Sequence, residues 1–459
     1  MSEPMISDFR RHGRQAIEWM CHYWENIRER RVVPACRPGE VTGQLPASAP
    51  DGPEALDAII SDFERFIVPN VTHWNHPRFF SFFSISSSPV SVLAEMYAAA
   101  MNVQHMLWKS GPAATELEQL TLDWLRQWMG LRPGWFGQIF DTASVSTLHA
   151  LAAARERIDP EAREQGMKSG LVAYCSEFAH SSVDKACIML GVGLRNLRKI
   201  PCDAGFRMRP DALAAAIIED RRAGLTPFCI VATVGTTGVT SVDPVPAIAG
   251  IARAEGLWLH VDGAYGGVAG IVPEYRHFLA GVDEADSLVI NPHKWLMCTV
   301  DISVLYTRHP EVLKRAFSLV PSYLKYEEDP RLLNLMDYGL PLGRRFRSLK
   351  LWFVMRYYGR SGLEQMIRQH CAWAQQLAAL IAADARFEVV APVTMSLVCF
   401  RYRGSDADNQ RLVERVNDSG FAFLSQATLK GRYTVRWAIG NFQTTWQDIE
   451  EVWQMVRQS

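Results

Sequence analysis

The 459-residue sequence predicts an α/β protein with a mainly parallel central sheet. The first observation is that short apolar, β-rich runs alternate with helical segments between about residues 85 and 310. The second is that these runs are apolar, as expected for strands covered by helices on both faces. The third is the length of the chain, which exceeds what one core usually organises and favours two or three domains.

The predicted strands are "LVAYCS", "FCIVATV", "LWLHVDG", "SLVIN" and "ISVLYT". Helical segments such as "SSVDKACIML" and "VPAIAGIARAEG" stand between them. In open parallel sheets, ligands bind outside the carboxyl ends of the strands. The chemistry is therefore expected where these strands end.

The regions on either side of this pattern differ from it. Residues 52–68 carry a helical apolar stripe behind a connector rich in Pro, Gly and Ala, "ACRPGEVTGQLPASAPDGP". We predict a helical N-terminal arm over 1–84 that cannot form its own core, a large α/β domain over 85–345, and a small α+β domain over 346–459. In the last of these, Thr444 and Gln447 are a candidate capping box for the final helix.

Composition excludes several classes of function. A net charge of −1 gives no electrostatic reason to bind nucleic acid or an anionic membrane. No uninterrupted apolar run reaches the roughly 18 residues of a membrane span, and the polar N-terminus lacks the apolar core of a signal peptide. The nine cysteines form no CxxC pair, which argues against a disulfide framework or a metal site and fits a reducing cytoplasm.

Three strand ends carry unusual residues. Asp262 ends "WLHVD", a turn with Thr237 follows "VATVG", and Lys294 follows "VINPH". Taken singly, they read as a turn aspartate, a structural turn and a surface lysine. Together they are what pyridoxal 5′-phosphate requires, because a lysine forms a Schiff base with its aldehyde and an acid keeps its ring nitrogen protonated. Opposite charges about 4 Å apart interact by roughly 4 kcal/mol at an effective dielectric constant near 20.

Several motifs then resemble one family. They are "DFRRHG", "VTHWNHPRFFSFF", "ATELE", "AHSSVDKA", "HVDGAYGG", "NPHKW" and "PLGRRFRSLK", in order from end to end. The sequence resembles the group II pyridoxal-phosphate decarboxylases, most closely those that act on aromatic L-amino acids. The resemblance implies the fold type I of pyridoxal-phosphate enzymes (aspartate aminotransferase-like) and a homodimer with active sites at the subunit interface.

The resemblance also implies roles for individual residues. Lys294 would hold the cofactor aldehyde and Asp262 its ring nitrogen, while His180 would stack on the ring, with Ala264 against the other face. Without the resemblance, His180 would read as a helix-start histidine. The remaining positions expected at the cofactor are Ala143, Ser144, Thr237, Asn291, His293 and Gly343, the last of which matches a residue that makes room for an indole in plant relatives.

Tyr323 matches the family's proton donor, a tyrosine on a mobile loop that serves the partner subunit. The alternative interpretation is an ordinary core tyrosine. Related aldehyde synthases, which react with oxygen, tend to lose this tyrosine or the stacking histidine. Because this chain keeps Tyr323 and His180, the expected products are the amine and CO₂.

The resemblance places the substrate wall at Trp74, Phe82, Phe83, Ser84 and Ile85, beside His180 and Tyr323. Ser84 and Ile85 stand where many relatives have Pro and Thr, so an aromatic substrate is expected but its ring is open. A decarboxylase of a non-aromatic amino acid remains an alternative, although Ile85 and His293 count against it. A catalytically inactive relative is the alternative outside the enzyme class.

Overall fold

A seven-stranded sheet forms the centre of the computed structural model, which describes residues 3–319 and 332–458. Its strands are β1 (Phe136–Phe140), β2 (Leu171–Ser176), β3 (Leu197–Ile200), β4 (Thr226–Thr233), β5 (Trp258–Asp262), β6 (Ser287–Ile290) and β7 (Ser303–Thr307). Their spatial order is β1-β7-β6-β5-β4-β2-β3. The five predicted strands are confirmed, whereas β1 and the short edge strand β3 were not predicted.

The first helices are α1 (Glu3–Glu25), α2 (Leu56–Asp62), α3 (Pro89–Met101), α4 (Pro112–Met129), α5 (Ala143–Ile158), α6 (Ala162–Gln165) and α7 (Ser182–Met189). They are followed by α8 (Pro210–Arg222), α9 (Val245–Glu255), α10 (Pro292–Trp295), α11 (Pro310–Phe317), α12 (Ser348–Ala383), α13 (Asp406–Ser419) and α14 (Trp446–Gln458). Alternate side chains of the sheet pack on α4, α8 and α9 on one face and on α5, α7 and α11 on the other. Both faces are thus covered, as the apolar strand runs predict.

Strand β7 runs against the other six strands of the sheet. The link from β6 to β7 is short and contains only the four-residue helix α10. A parallel return needs a longer crossover, usually with a helix that packs on the sheet. The chain therefore turns back beside β6, and the residues of α10 stay at the carboxyl end of the sheet.

The C-terminal region is α+β, as predicted. Its four antiparallel strands are β8 (Phe387–Val389), β9 (Leu397–Tyr402), β10 (Ser425–Leu429) and β11 (Arg432–Ala438), in the order β10-β11-β9-β8. The capping box of α14 lies one residue later than predicted, because Asp448 and Thr445 exchange the reciprocal hydrogen bonds. Thr444 instead donates to the Pro77 carbonyl at 2.6 Å.

Within the N-terminal arm, Trp19 contacts Phe63 at 5.3 Å between ring centroids, and Arg28 ties the arm to α14 through an ion pair with Asp448 at 2.9 Å. Phe9 on α1 is 74% exposed. The domain boundaries at 84/85 and 345/346 stay predictions. Within residues 3–319 and 332–458, no helix is long and apolar enough to cross a membrane.

Candidate active site

A cavity of about 200 Å³ lies at the carboxyl ends of β4, β5 and β6. Strands β4 and β5 end in Thr233 and Asp262, which pair with each other in the sheet. Strand β6 ends at Ile290, directly before Asn291. The cavity wall consists of Phe83, Thr142, Ala143, Ser144, His180, Thr233, Gly235, Thr237, Asp262, Ala264, Tyr265, Asn291 and Lys294. Most of the predicted cofactor residues are therefore brought together in one place.

Asp262 is a buried carboxylate whose orientation is fixed by the turn that follows it. Its Oδ1 accepts a hydrogen bond from the Ala264 N–H at 3.0 Å. The turn continues into Gly266, where an added Cβ would lie 2.6 Å from the Val234 carbonyl oxygen. Only glycine permits this close approach of the turn to the end of β4.

Lys294 lies on α10 and is only partly exposed, with its Nζ 5.5 Å from the centroid of the Phe83 ring. Its ammonium forms no ion pair with any residue in the described part of the chain. Burial lowers the pKa of Lys294, and the negative charge of Asp262 opposes this shift. A lysine in such a place is a better nucleophile at neutral pH than a surface lysine.

His180 stands at the rim of the cavity, just before α7. Its Nδ1 accepts the Ser182 N–H at 3.1 Å, so the neutral ring carries its hydrogen on Nε2. Burial lowers the pKa of His180, although Asp262 again acts in the opposite direction. The ring is thus held in one orientation and is favoured in its neutral form.

The start of α5 offers an anion-binding surface. Helix-initial N–H groups have no acceptor within the helix, and Ala143 and Ser144 are the first two residues of α5. The Oδ1 of Asn291 and the Oγ1 of Thr233 are buried and have no partner among the described residues. Unpaired N–H groups, unsatisfied polar atoms, a lysine and a carboxylate in one cavity fit pyridoxal phosphate.

Two predicted cofactor residues are not in the wall. His293 is buried behind the cavity, where its Nδ1 accepts the Ile302 N–H at 3.0 Å, and burial lowers its pKa to about 3. Gly343 is exposed, with open space around it. Their roles at the cofactor stay predictions.

Of the predicted substrate wall, Phe83 reaches the cavity. Its ring stacks on Tyr265 at 3.6 Å, and Tyr265 stacks on Trp295 at 4.6 Å. Trp74 and Phe82 stack on each other at 5.6 Å but do not line the cavity. Ser84 and Ile85 are also absent from the wall, and Tyr323 lies outside the described residues.

Thr142, Thr233, Gly235 and Tyr265 line the cavity without having been predicted as site residues. Thr233 could have been found from the sequence, because it ends the strand "FCIVAT" at the same edge as Asp262. Tyr265 lies in the motif "HVDGAYGG", but no local pattern shows that its ring would stack on Phe83 across the fold.

The pyridoxal-dependent decarboxylase conserved domain matches residues 38–403. The chain belongs to this family. It is 40% identical over 469 residues to an aromatic-L-amino-acid decarboxylase of Cavia porcellus, across 98% of this chain and 97% of that protein. The resemblance predicted from the motifs is confirmed.

Two solved structures have the same fold. Oryza sativa TDC with PLP and tryptamine superposes with a TM-score of 0.96 at 35% identity, over 98% of this chain and 97% of that one. Rhodiola rosea 4-hydroxyphenylacetaldehyde synthase gives 0.93 at 34% identity, over 100% and 98%. The predicted fold class, the cofactor pyridoxal phosphate and the reaction class of a PLP-dependent amino acid decarboxylase are thereby confirmed.

Proposed function

We propose that this decarboxylase converts an aromatic L-amino acid into its amine and CO₂. The observation that carries the proposal is the stacked ring of Phe83, which forms one wall of the cavity that holds Lys294 and Asp262. A flat apolar wall beside the reactive lysine suits an aromatic side chain. The name of the Cavia porcellus relative and the tryptamine in the Oryza sativa structure support the same substrate class.

The charges of the cavity also favour this class over acidic substrates. Lys294 is the sole lysine or arginine among the described residues of the wall, and its amine is needed for the aldehyde. An acidic substrate side chain would then lack a cationic partner there, and an unpaired buried charge is costly. Aromatic substrates need no such partner.

When bound, pyridoxal phosphate supplies an electron sink that makes loss of CO₂ from Cα feasible. Lys294 would hold the aldehyde, and the Asp262 carboxylate would keep the proton on the ring nitrogen. His180 and Ala264 would lie against the two faces of the ring, and the N–H groups of Ala143 and Ser144 would bind the phosphate. Thr237 and Asn291 complete the polar wall.

We assign the return of a proton to Cα to Tyr323. Its phenol is the predicted acid, and the partner subunit's copy of the loop would bring it to the site. Proton return from a positioned acid yields the amine, whereas delayed protonation leaves time for reaction with oxygen. Keeping both Tyr323 and His180 supports amine formation rather than the aldehyde formation named for the Rhodiola rosea structure.

A homodimer is part of the proposal. The face of α3 and α12 exposes large apolar side chains, including Tyr97 at 59% and Tyr357 at 71%. Exposed patches of this kind mark association surfaces. A cytoplasmic location stays a prediction, with nine free cysteines in its support.

The deciding experiment incubates the purified protein and pyridoxal phosphate with tryptophan, tyrosine, DOPA and phenylalanine separately. Amine and CO₂ in equal amounts, without oxygen uptake, are expected from at least one of them. Aldehyde with peroxide would replace the product assignment, and activity on glutamate or histidine alone would replace the substrate class. No product from any substrate, with no absorbance from lysine-bound cofactor, would indicate an inactive relative. Lys294→Ala should remove both the absorbance and the activity.

A further inference from the structure

Arg436 connects the small sheet to the wall of the active site. It lies on β11, is 4% exposed, and extends its guanidinium toward the turn after β4. Its Nη2 donates to the Thr237 carbonyl at 2.6 Å and its Nε to the Gly238 carbonyl at 3.3 Å. Two consecutive carbonyls of the turn that carries Thr237 are therefore held by one side chain.

The same guanidinium also holds the segment that carries Phe83. Its Nη1 donates to the Ser81 carbonyl at 3.0 Å and to the Ser425 hydroxyl at 2.8 Å. Its Cζ lies 5.7 Å from the centroid of the Phe83 ring, close to the 5.5 Å that separates this centroid from the Lys294 Nζ. Arg436 thus joins the N-terminal segment, the turn after β4 and the small sheet.

The charge of Arg436 is costly where it lies. It forms no ion pair with any residue of 3–319 or 332–458, and its acceptors are three carbonyls and a hydroxyl. Burying a cation without a counter-ion carries a penalty of several kcal/mol before its hydrogen bonds are counted. A neutral side chain would join the strands without this desolvation penalty. What the guanidinium adds is a planar, rigid set of charge-assisted hydrogen-bond donors that point in several directions at once.

We infer that Arg436 is a positioning residue for the decarboxylation, because it fixes Thr237 and Phe83, two parts of the cavity wall, relative to Lys294. This inference rests on the proposed function for its catalytic consequence. Arg436 itself does not line the cavity. It acts through the two wall residues. A displacement of such residues by about 1 Å can lower the reaction rate by up to about 100-fold.

Two substitutions separate charge from shape. Arg436→Met removes the donors, whereas Arg436→Lys keeps the charge but cannot donate to both sides of the site at once. We expect kcat/KM to fall by about 10- to 100-fold in the methionine variant, as for loss of hydrogen bonds from a charged group. The lysine variant should lie between it and the wild type, with a weaker affinity for pyridoxal phosphate in both.

Arg401 provides a matched control. It is a buried arginine on the neighbouring strand β9, and its guanidinium contacts Asp406, Gly404 and Tyr433, all within the small domain. Arg401→Met should lower the melting temperature and leave kcat/KM at the wild-type value.

Hydrogen exchange of the cofactor-free protein gives a readout that does not depend on activity. Arg436→Met should speed exchange in peptides covering 234–243 and 79–86, and Arg401→Met should not. Equal exchange in both variants, together with a wild-type kcat/KM for Arg436→Met, would overturn the inference. If Arg436→Met fails to fold, Arg436→Lys decides by the same two measurements. An inactive wild type would refute the proposed function alone, since the exchange data would still test the positioning of the wall.

Discussion

Replacing Lys294 by methionine is expected to stabilise the cofactor-free protein while it abolishes activity. Burial lowers the pKa of Lys294, so the charged ammonium is less favourable in the folded chain than in water. Methionine has a similar length and no charge. It fills the same space beside Phe83 without the desolvation cost.

The expected gain is about 1–2 kcal/mol at neutral pH, the cost of a buried polar group that lacks a partner. The attraction of Asp262 is already part of this net effect, since it opposes the fall of the Lys294 pKa without reversing it. For cooperative unfolding of 459 residues, such a gain raises the melting temperature by about 1–2 °C.

The expected pH dependence is opposite to that of a lysine in a buried ion pair, whose pKa is raised on folding. Between the lowered pKa of Lys294 and the value of about 10.4 in the unfolded chain, the unfolded state binds more protons, so the wild type gains stability as pH rises. The advantage of Lys294→Met should therefore shrink from pH 7.5 to pH 10. The stabilities of the two proteins converge because burying a neutral lysine costs less than burying a charged one.

Differential scanning calorimetry of the two cofactor-free proteins at both pH values measures the effect. Lys185→Met, at an exposed position on α7, controls for adding a methionine and should change stability by less than about 0.5 kcal/mol. A Lys294→Met protein that is less stable at pH 7.5, or whose difference from wild type does not depend on pH, would refute the reasoning. Added pyridoxal phosphate should stabilise the wild type more than the variant.

Three further outcomes are expected. Gly266→Ala should cost about 1–3 kcal/mol in thermal unfolding, because its Cβ would lie 2.6 Å from the Val234 oxygen, whereas Gly250→Ala, with nothing within 4 Å, should be neutral or stabilising. Asp262→Asn should reduce kcat by about 100-fold or more at saturating cofactor, since an amide no longer favours a protonated ring nitrogen. The free energy of unfolding, measured by denaturant titration, should fall as pH drops from 6.5 to 5, by about 1.5 kcal/mol for each buried neutral histidine that must charge on unfolding. Those histidines have pKa values lowered by burial to about 3 or 4, and they are His73, His76, His149, His260, His293 and His370.

The central strands of the fold could be predicted because each is a short, mostly apolar run between helical segments. The strand that ends in Asp262 is apolar before that residue except for His260, and the neighbouring strands β4 and β6 are mostly apolar as well. Strand β3 was missed because "LRKI" is short and half polar, as an edge strand can be. The reversal of β7 depends on the length of its connection, which strand propensity does not report.

At the site, the ends of the predicted strands indicate the positions of the functional residues well. The motifs indicate less well which side chains line the cavity. Asp262 ends β5, and Asn291 and Lys294 come shortly after β6, so their meeting at one edge follows from the parallel pairing of these strands. Trp74 and Phe83 look alike in sequence, yet only Phe83 faces the cavity. Phe83 stacks on Tyr265, which is distant in the sequence, whereas Trp74 stacks on the nearby Phe79. A sequence pattern does not show which of these partners a given ring takes.

The run "FFSFF" at 79–83 has a consequence for synthesis of the chain. Phe80 packs on Trp437 at 5.1 Å and Phe79 on Phe423 at 5.5 Å, so both need residues near the C-terminus to complete their packing. At typical translation speeds, the intervening residues take on the order of 20–70 s to be made. During that interval Phe79, Phe80 and Phe82 lack the rings that the C-terminal region supplies, so this apolar run is exposed to aggregation while the chain is being made.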